Sequence, residues 1–400
     1  MRFCSESCRS AAAQQHALEC GLLERLLELD VGPMALLALR LVAAAGPERL
    51  RRQRLGRSGG SGSGSTGDGS IPQDPLDAAR GLVGHTELRS VADLFRRTAT
   101  AVCLACLLYS QRDLDLSFPG ARSQAGTSKE NGIKVEEGSS ERPSKYSDLE
   151  ETAAALLHFL QSLPCNAHEI SEQVQRGQDA ELREVGAAVY PSVSLLNHAC
   201  DPNVLRVSHG TCCVVRVIQP VPAGGELLDN YGFHWAVQGW SQRQAALQRQ
   251  YYFDCHCRAC AEDWAPHDDL PEKEYFLCDL CDAPPMYCYH EKDASKVKAF
   301  AGSRRTFLKT MESRGKDGVV EDIEPLVRHL AVMEGVIAKP SREYNNCQEA
   351  VKLHFFAKGN SYQEFVDTQT TAANSKKETG TNETLNCIER LYGKNKRITA

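Results

Sequence analysis

The sequence predicts an α+β protein, and three observations carry that expectation. Apolar residues recur at helical spacing between about 20 and 163 and again beyond 266. Between these regions the period changes, with Val204-Leu205-Arg206-Val207-Ser208 and Cys212-Cys213-Val214-Val215-Arg216-Val217-Ile218 forming β-branched runs of strand character. A compact cysteine motif, Cys255-x-Cys257-x-x-Cys260, then follows.

Taken in chain order, Cys20 to about Leu50 is rich in leucine and alanine and ends in the basic run Arg49-Leu50-Arg51-Arg52-Gln53-Arg54. That run reads as a solvated charge face rather than a nuclear signal. The Gly/Ser stretch Ser58 to Ser70, within a linker placed at 58–72, has the composition of a flexible connector. Residues 85–110 regain helical character, started by Ser90 or Asp93, with Val91, Leu94, Phe95, Val102, Ala105 and Cys106 expected on one face and Thr98 as its polar member. Cys103-x-x-Cys106 is expected in the core. The polar segment 111–148 reads as a disordered insertion. A further amphipathic helix is expected over 149–163, stopped before Pro164. His209-Gly210 suits a hairpin turn between the two β-branched runs, and a short third strand is expected from Glu226. Leu326, Val327, Leu330, Met333, Val336 and Ile337 mark a helix ending at Pro340, and a second from about Ser341 to Lys358, closed by Gly359, would complete a helical hairpin. The tail from Asp367 is polar and expected to be loose.

Composition narrows the function classes. At 400 residues and 42% hydrophobic content the chain has room for two or three domains with sizeable cores. A net charge of −6 argues against a protein built mainly to hold nucleic acid. The longest apolar run, Val31 to Ala45, is broken by Arg40 and falls short of the roughly 20 residues of a membrane span. Met1-Arg2-Phe3-Cys4 opens without an apolar signal region, so a reducing compartment is expected and the 17 cysteines read as metal ligands where they cluster. Three thiolates within Cys255 to Cys260 are one short of the four that structural zinc takes. Cys278-x-x-Cys281, with Cys288 and His290 downstream, offers ligand types for another zinc.

Three motifs in fixed order carry the functional reading: Asn197-His198-Ala199-Cys200-Asp201-Pro202-Asn203, then Gly225-Glu226-Leu227-Leu228-Asp229-Asn230-Tyr231-Gly232, then Tyr251-Tyr252-Phe253-Asp254-Cys255-His256-Cys257-Arg258-Ala259-Cys260. Together they resemble the carboxyl half of a SET domain with its post-SET segment, which implies a protein-lysine methyltransferase. The resemblance implies that Cys200 is the fourth zinc ligand beside Cys255, Cys257 and Cys260. It further implies that Asn166, Asn197, His198, Tyr231 and Phe253 contact S-adenosylmethionine, that Tyr231 is the catalytic tyrosine, and that Tyr251 and Phe253 line the lysine channel. Methyl transfer requires a neutral lysine amine aligned behind a sulfonium methyl, so orientation and placed dipoles are the protein's main contribution. A phenol with a pKa near ~10 is protonated, so Tyr231 is expected to hydrogen-bond rather than act as a base.

Cys4-x3-Cys8-x7-His16-x3-Cys20 resembles the last four ligands of a MYND zinc finger, a protein-interaction module. With the SET motifs it points to the SET and MYND domain-containing methyltransferases, most like the fourth subtype, over residues 1 to about 360. The resemblance divides the chain into a partial MYND finger (1–25), a helical SET insertion (26–163), the SET β core (164–240), a zinc-bound post-SET loop (241–265), a carboxyl-terminal α-helical domain similar to tetratricopeptide repeats (266–366) and a loose tail (367–400). In that family the first SET strands, with a Gly-x-Gly cofactor loop, precede the finger. An amino-terminally truncated chain with weak cofactor binding is therefore the expectation. Ala199 replaces the commoner serine, a small-for-small change. The resemblance also implies protein lysine substrates and other partners bound through the finger and the helical domain; composition adds the expectation of no membrane or direct nucleic-acid partner, and a cytoplasmic and nuclear location is expected. The alternative is a non-catalytic zinc-binding adaptor using the same two modules.

Overall fold

The computed structural model describes residues 6–19, 21–29, 31–57, 74–112, 145–176, 179–280, 293–315 and 318–364. They fall into two units: one made of the chain up to His168 with Ala187–Pro191, the other of Glu169–Gly186 with everything from Ser192. No helix among the described residues is long and apolar enough to cross a membrane.

The first unit is helical: α1 (Glu6–Glu19), α2 (Leu23–Glu28), α3 (Gly32–Arg57), α4 (Pro75–Arg80), α5 (Val91–Arg112) and α6 (Lys145–Asn166). Gly46, at φ 70 and ψ 160, kinks α3, a conformation that costs glycine little. Asp74 caps α4 by accepting from the amides of Leu76 and Asp77, and Ser90 Oγ accepts from Asp93 N at the start of α5. Leu39 and Val42 of α3, Ala101, Leu104 and Ala105 of α5, and Leu156, Phe159, Leu160 and Leu163 of α6 close one core.

Three expectations fail here. The buried stripe of α5 is Ala101, Leu104 and Ala105, whereas Val91 and Phe95 are 84% and 75% exposed. Of the expected face only Ala105 is fully buried, and the face packed in the core is set by Ala101, Leu104 and Ala105, whose two alanines allow close helix approach. Cys103 and Cys106 lie on the exposed side, outside the core. Finally, α6 does not stop before Pro164 but runs through it to Asn166. A proline at 164 leaves Leu160 O without its helical donor. That carbonyl accepts instead from Arg97 Nη1, and Arg89 Nη2 donates to the next one, Gln161 O, at 2.6 Å. Asp93 holds both guanidiniums, at 2.7 Å from Arg97 Nε and 3.0 Å from Arg89 Nη1. Burial works against its charge, but the hydrogen bonds from Arg97 and Arg89 prevail and hold its pKa at about 2.

The second unit carries the strands, apart from the start of the first and the end of the second. β1 (Ala167–Arg176), β2 (Asp179–Val189) and β7 (Ser361–Glu364) form a sheet in the order β2-β1-β7, with β1 and β7 parallel from Gln173↔Ser361. β3 (Asn197–His198) pairs in parallel with β6 (Leu228–Asp229). The expected hairpin is present as β4 (Val204–His209) and β5 (Cys212–Val217), turning at Gly210 with φ +59. α7 (Trp240–Tyr251) and the short α8 (Arg258–Ala261) follow, then α9 (Ala294–Glu312), α10 (Glu324–Glu334) and α11 (Arg342–Ala357). The last two are the helical hairpin the apolar spacing predicts, and Ser341 Oγ caps α11 by accepting from Tyr344 N. Phe300 and Phe307 of α9 join Leu326, Leu330 and Met333 of α10 and Cys347, Ala350 and Val351 of α11 in a second core. Within it His329 stacks on Phe307 at 4.9 Å while its ring nitrogens meet Glu343 Oε1 and Ser303 Oγ at 2.8 and 2.9 Å.

Gly359 does not close α11 as a left-handed cap. Its role is close approach: a Cβ there would lie 2.8 Å from Val207 Cγ1 and 2.9 Å from Ser208 O. Asn360 N then donates to Ser208 O and Asn360 Oδ1 accepts from Gly210 N, so the end of α11 is stitched to the β4–β5 hairpin. The expected disordered insertion and loose tail fall almost wholly outside the described residues, as do Cys281, Cys288 and His290.

If Arg97 substitutes for the missing amide, Arg97→Met costs about 1–3 kcal/mol of stability, and the loss shrinks in a Pro164→Ala background, where the amide at 164 can again reach Leu160 O. Urea unfolding of the four chains checks this.

Candidate active site and metal centre

Two short strands organise the site. Asn197 opposes Leu228 and His198 opposes Asp229 in the β3–β6 pair. Ala199 N extends the pairing by donating to Asp229 O at 2.8 Å, and Asn203 N donates to Leu228 O at 3.1 Å. Strand alternation turns His198 inward and leaves Asn197 exposed, where its amide donates to Glu226 Oε1 at 2.5 Å.

The chain leaving β6 is then fixed residue by residue. Asn230 donates from Nδ2 to Ala199 O at 3.0 Å and accepts on Oδ1 from Gly232 N at 2.8 Å. Tyr231 N donates to His198 Nδ1 at 3.1 Å, and the Tyr231 hydroxyl donates to Leu196 O at 2.6 Å. Around that ring stand His198 at 5.2 Å, Tyr251 at 4.7 Å and Phe253 at 6.5 Å between centroids. Tyr251 OH also reaches Tyr231 O at 3.4 Å. Burial, with the Asp229 charge adding to it, pushes the Tyr231 pKa up to about 12. The phenol therefore stays protonated and its hydroxyl is a donor. Burial also drops His198 to about 4, so the imidazole beside Tyr231 is neutral.

Beneath Tyr231, Asp229 is buried and pairs with Arg206 Nε of β4 at 2.5 Å. Burial raises the Asp229 pKa above the usual carboxylate range, and Arg206 only partly offsets that. Arg206 Nη2 also donates to Asn230 O at 3.2 Å.

The four cysteines expected to share a metal do meet. Cys200, Cys255, Cys257 and Cys260 offer sulfurs that all lie within 4.8 Å of one another, although Cys200 precedes Cys255 by 55 residues. Cys200 Sγ is 4.0 Å from Cys255 Sγ and 3.5 Å from Cys260 Sγ, and Cys200 N donates to Cys257 Sγ at 3.3 Å. A tetrahedral zinc with ~2.3 Å bonds to sulfur spaces its ligands by about 3.8 Å, so this donor set fits that ion in number, type and spread.

Helix α7, which sequence reasoning passed over, is the template for the loop. Gln244 brackets Cys255 with both ends of its amide, donating to Cys255 O at 2.7 Å and accepting from Cys255 N at 2.9 Å. Leu247 is fully buried against Cys200, Cys255 and Cys260. Tyr252 ends the helix at φ 62 with its amide on the Leu247 and Gln248 carbonyls. The signal was present as Arg243, Leu247 and Tyr251 at i, i+4 and i+8.

The remaining expected site residues lie in the first unit or outside the described residues. Asn166 belongs to the first unit, where its amide donates to Val83 O and Ser162 O at 2.9 and 2.7 Å. Cys4 and Cys20 lie outside the described residues. Cys8 and His16 fall on α1, but their side chains are not among those described.

Comparison with known proteins agrees with this geometry. The SET domain family model matches residues 118–232, a stretch that holds the Asn-His-x-Cys motif and Tyr231. The curated relatives the chain is similar to are SET and MYND-type protein-lysine methyltransferases, SMYD4 and SMYD2. Protein-lysine N-methyltransferase SMYD4 of Mus musculus is 36% identical over 147 residues, 35% of this chain and 18% of the relative. SMYD4 of Homo sapiens is 27% identical over 324 residues, 71% of this chain and 39% of the relative. N-lysine methyltransferase SMYD2 of Mus musculus is 32% identical over 117 residues, 29% of this chain and 25% of the relative. The chain thus spans well under half the length of these relatives.

Arg206→Met leaves Asp229 as an unpaired buried carboxyl and is expected to cost about 3 kcal/mol, much of it regained when Asp229→Leu removes the other partner. Denaturant midpoints of the single and double variants test this.

Proposed function

We propose that the whole protein moves a methyl group from S-adenosylmethionine to the ε-amine of a lysine in another protein. The observation that carries the proposal is the setting of Tyr231, a protonated phenol held on Leu196 O and ringed by His198, Tyr251 and Phe253. The donor set suits a sulfonium cofactor, because aromatic faces and a peptide carbonyl are favourable surroundings for a cation. A neutral His198 adds no opposing charge. Asn197, His198, Tyr231 and Phe253 are the residues proposed to hold the cofactor, which supplies an electrophilic methyl when bound.

The chain's own groups orient rather than titrate. Tyr231 contributes a fixed dipole beside the reacting atoms and takes no proton, since its pKa lies near 12. Tyr251 and Phe253 present ring faces to an arriving ammonium, which must shed its proton to solvent before it reacts. Cys200, Cys255, Cys257 and Cys260 are proposed zinc ligands, tying the segment that bears Tyr251 and Phe253 back to the β3 strand. The division into a MYND-type finger, a SET core and a tetratricopeptide-like helical domain is part of the same reading. So are partner binding through the finger and helices and a cytoplasmic and nuclear location.

The test is transfer of a labelled methyl from S-adenosylmethionine to protein lysines by the full-length protein. Tyr231→Phe is expected to lower turnover about a hundredfold, the scale of losing one placed dipole, while cofactor affinity measured by calorimetry stays near the parent's. Equal turnover would remove Tyr231 from this role, and an inactive parent that still captures partner proteins would favour the adaptor.

A further inference from the structure

Arg243 is among the largest side chains fully withdrawn from water, with none of its surface exposed. A guanidinium stays charged at any pH a protein meets, and a buried charge without a counter-charge is costly. The contrast with Arg89 is instructive, since that buried arginine has the Asp93 carboxylate at 3.0 Å. Arg243 is paired with no carboxylate among the described residues. Its Nη1 donates to Gln238 O at 2.5 Å and its Nη2 to Ala259 O at 3.3 Å, while Nε has no hydrogen-bond partner there. Carbonyl dipoles solvate the cation without neutralising it.

The group that remains in reach is sulfur. Arg243 Nη2 lies 3.7 Å from Cys260 Sγ, within the hydrogen-bond range for that atom. Four neutral thiols would leave the guanidinium uncompensated, whereas four thiolates around one Zn²⁺ carry a net charge of −2. Such a dianion, itself buried, needs positive charge as much as the arginine needs negative. The arrangement satisfies both at once: α7 holds Arg243 against Cys260 from one position and, through the next residue, Gln244, brackets Cys255.

We propose that Arg243 is the charge partner of a tetrathiolate zinc centre formed by Cys200, Cys255, Cys257 and Cys260, and that it sets how tightly the chain keeps that zinc. This rests on the zinc reading above. Arg243 is a positioning residue that acts through Cys260 and does not touch the metal.

The test measures zinc per chain and zinc affinity against a chromogenic chelator. A Cys255→Ser, Cys260→Ser chain identifies the zinc that belongs to this site. If the parent holds no more zinc than that control, the zinc reading itself is wrong. If it does hold more, Arg243→Gln is expected to weaken the affinity 10- to 100-fold, the usual effect of losing an outer partner of a metal ligand. Arg243→Lys, which keeps the charge but not the fork, should recover part of it. Charge compensation further requires the Arg243→Gln loss to shrink in a Cys257→His background, whose zinc centre would carry only −1. Parent-like affinity for Arg243→Gln, or an equal loss in both backgrounds, overturns the proposal. Should Arg243→Gln fail to fold, Arg243→Lys carries the test: affinity within about tenfold of the parent supports it, and loss of the site's zinc overturns it.

Discussion

Four residues of parallel pairing, Asn197 with Leu228 and His198 with Asp229, are the constraint on which the second unit's site depends. Each strand is too short to persist alone, since isolated two-stranded pairings are marginal even at greater length. Their pairing is secured from outside the ladder. Asn230 reaches back to Ala199 O, Asn203 Oδ1 accepts from Leu228 N, and Trp235 N donates to Cys200 O. Each of these bonds joins the segment 196–203 to the segment 226–235. Remove the register and Tyr231 loses both its amide contact to His198 and its hydroxyl contact to Leu196 together.

The same segment is supported from the carboxyl-terminal helices. Leu205 and Val207 of β4, with Ile218, pack against Phe355 and Phe356 at the end of α11, and Arg216 lies 4.7 Å over the Phe355 ring. Lys339 Nζ, between α10 and α11, meets Glu334 at 2.9 Å, Gln219 Oε1 at 3.1 Å and the Tyr344 ring at 4.1 Å. Gln219 in turn donates to Asp201 Oδ1 and Pro202 O, next to Cys200. The contacts of Lys339 and Gln219 are polar, so they specify one docking geometry more than they add net stability. The helices thus hold the β4–β5 hairpin and, through Gln219, the chain next to Cys200.

How much of this was legible in the sequence depends on the range of the signal. The hairpin at Gly210, the helix capped by Ser341 and the strand after Glu226 were readable because turn chemistry and period are local. The meeting of Cys200 with Cys255, Cys257 and Cys260 was readable only through resemblance, because spacing supplies three ligands and says nothing about a fourth 55 residues away. What was misread has a physical cause in each case. On α5 the expected face was offset from the buried one, Ala101, Leu104 and Ala105, because only packing against neighbouring helices decides which face is covered. At Pro164 the usual rule failed because Arg97, 63 residues distant in sequence, supplies the donor that proline lacks. Arg243, Gln244 and the Arg206–Asp229 pair carry no motif of their own. Their importance is a matter of what surrounds them once folded.

His198 shows how closely the aromatic site and the thiol cluster are joined. Its Nδ1 accepts from the Tyr231 amide, which requires that nitrogen to be unprotonated, and burial keeps the ring neutral. The proton must then reside on Nε2, which lies 3.4 Å from Cys200 Sγ. A neutral imidazole can therefore accept from the tyrosine backbone and donate to a thiolate at the same time, but only in this one tautomer. If Cys200 were a neutral thiol, its sulfur would be a weak acceptor and would leave the Nε2 proton poorly matched in a buried place. Were it the metal-bound thiolate proposed above, it would be a charged acceptor, which would fix the tautomer and with it the orientation of the ring beside Tyr231. The order of Asn-His-x-Cys thereby acquires a physical meaning: with the histidine on the strand and the cysteine two residues on, a single imidazole couples the Cys200 sulfur to the backbone of the tyrosine.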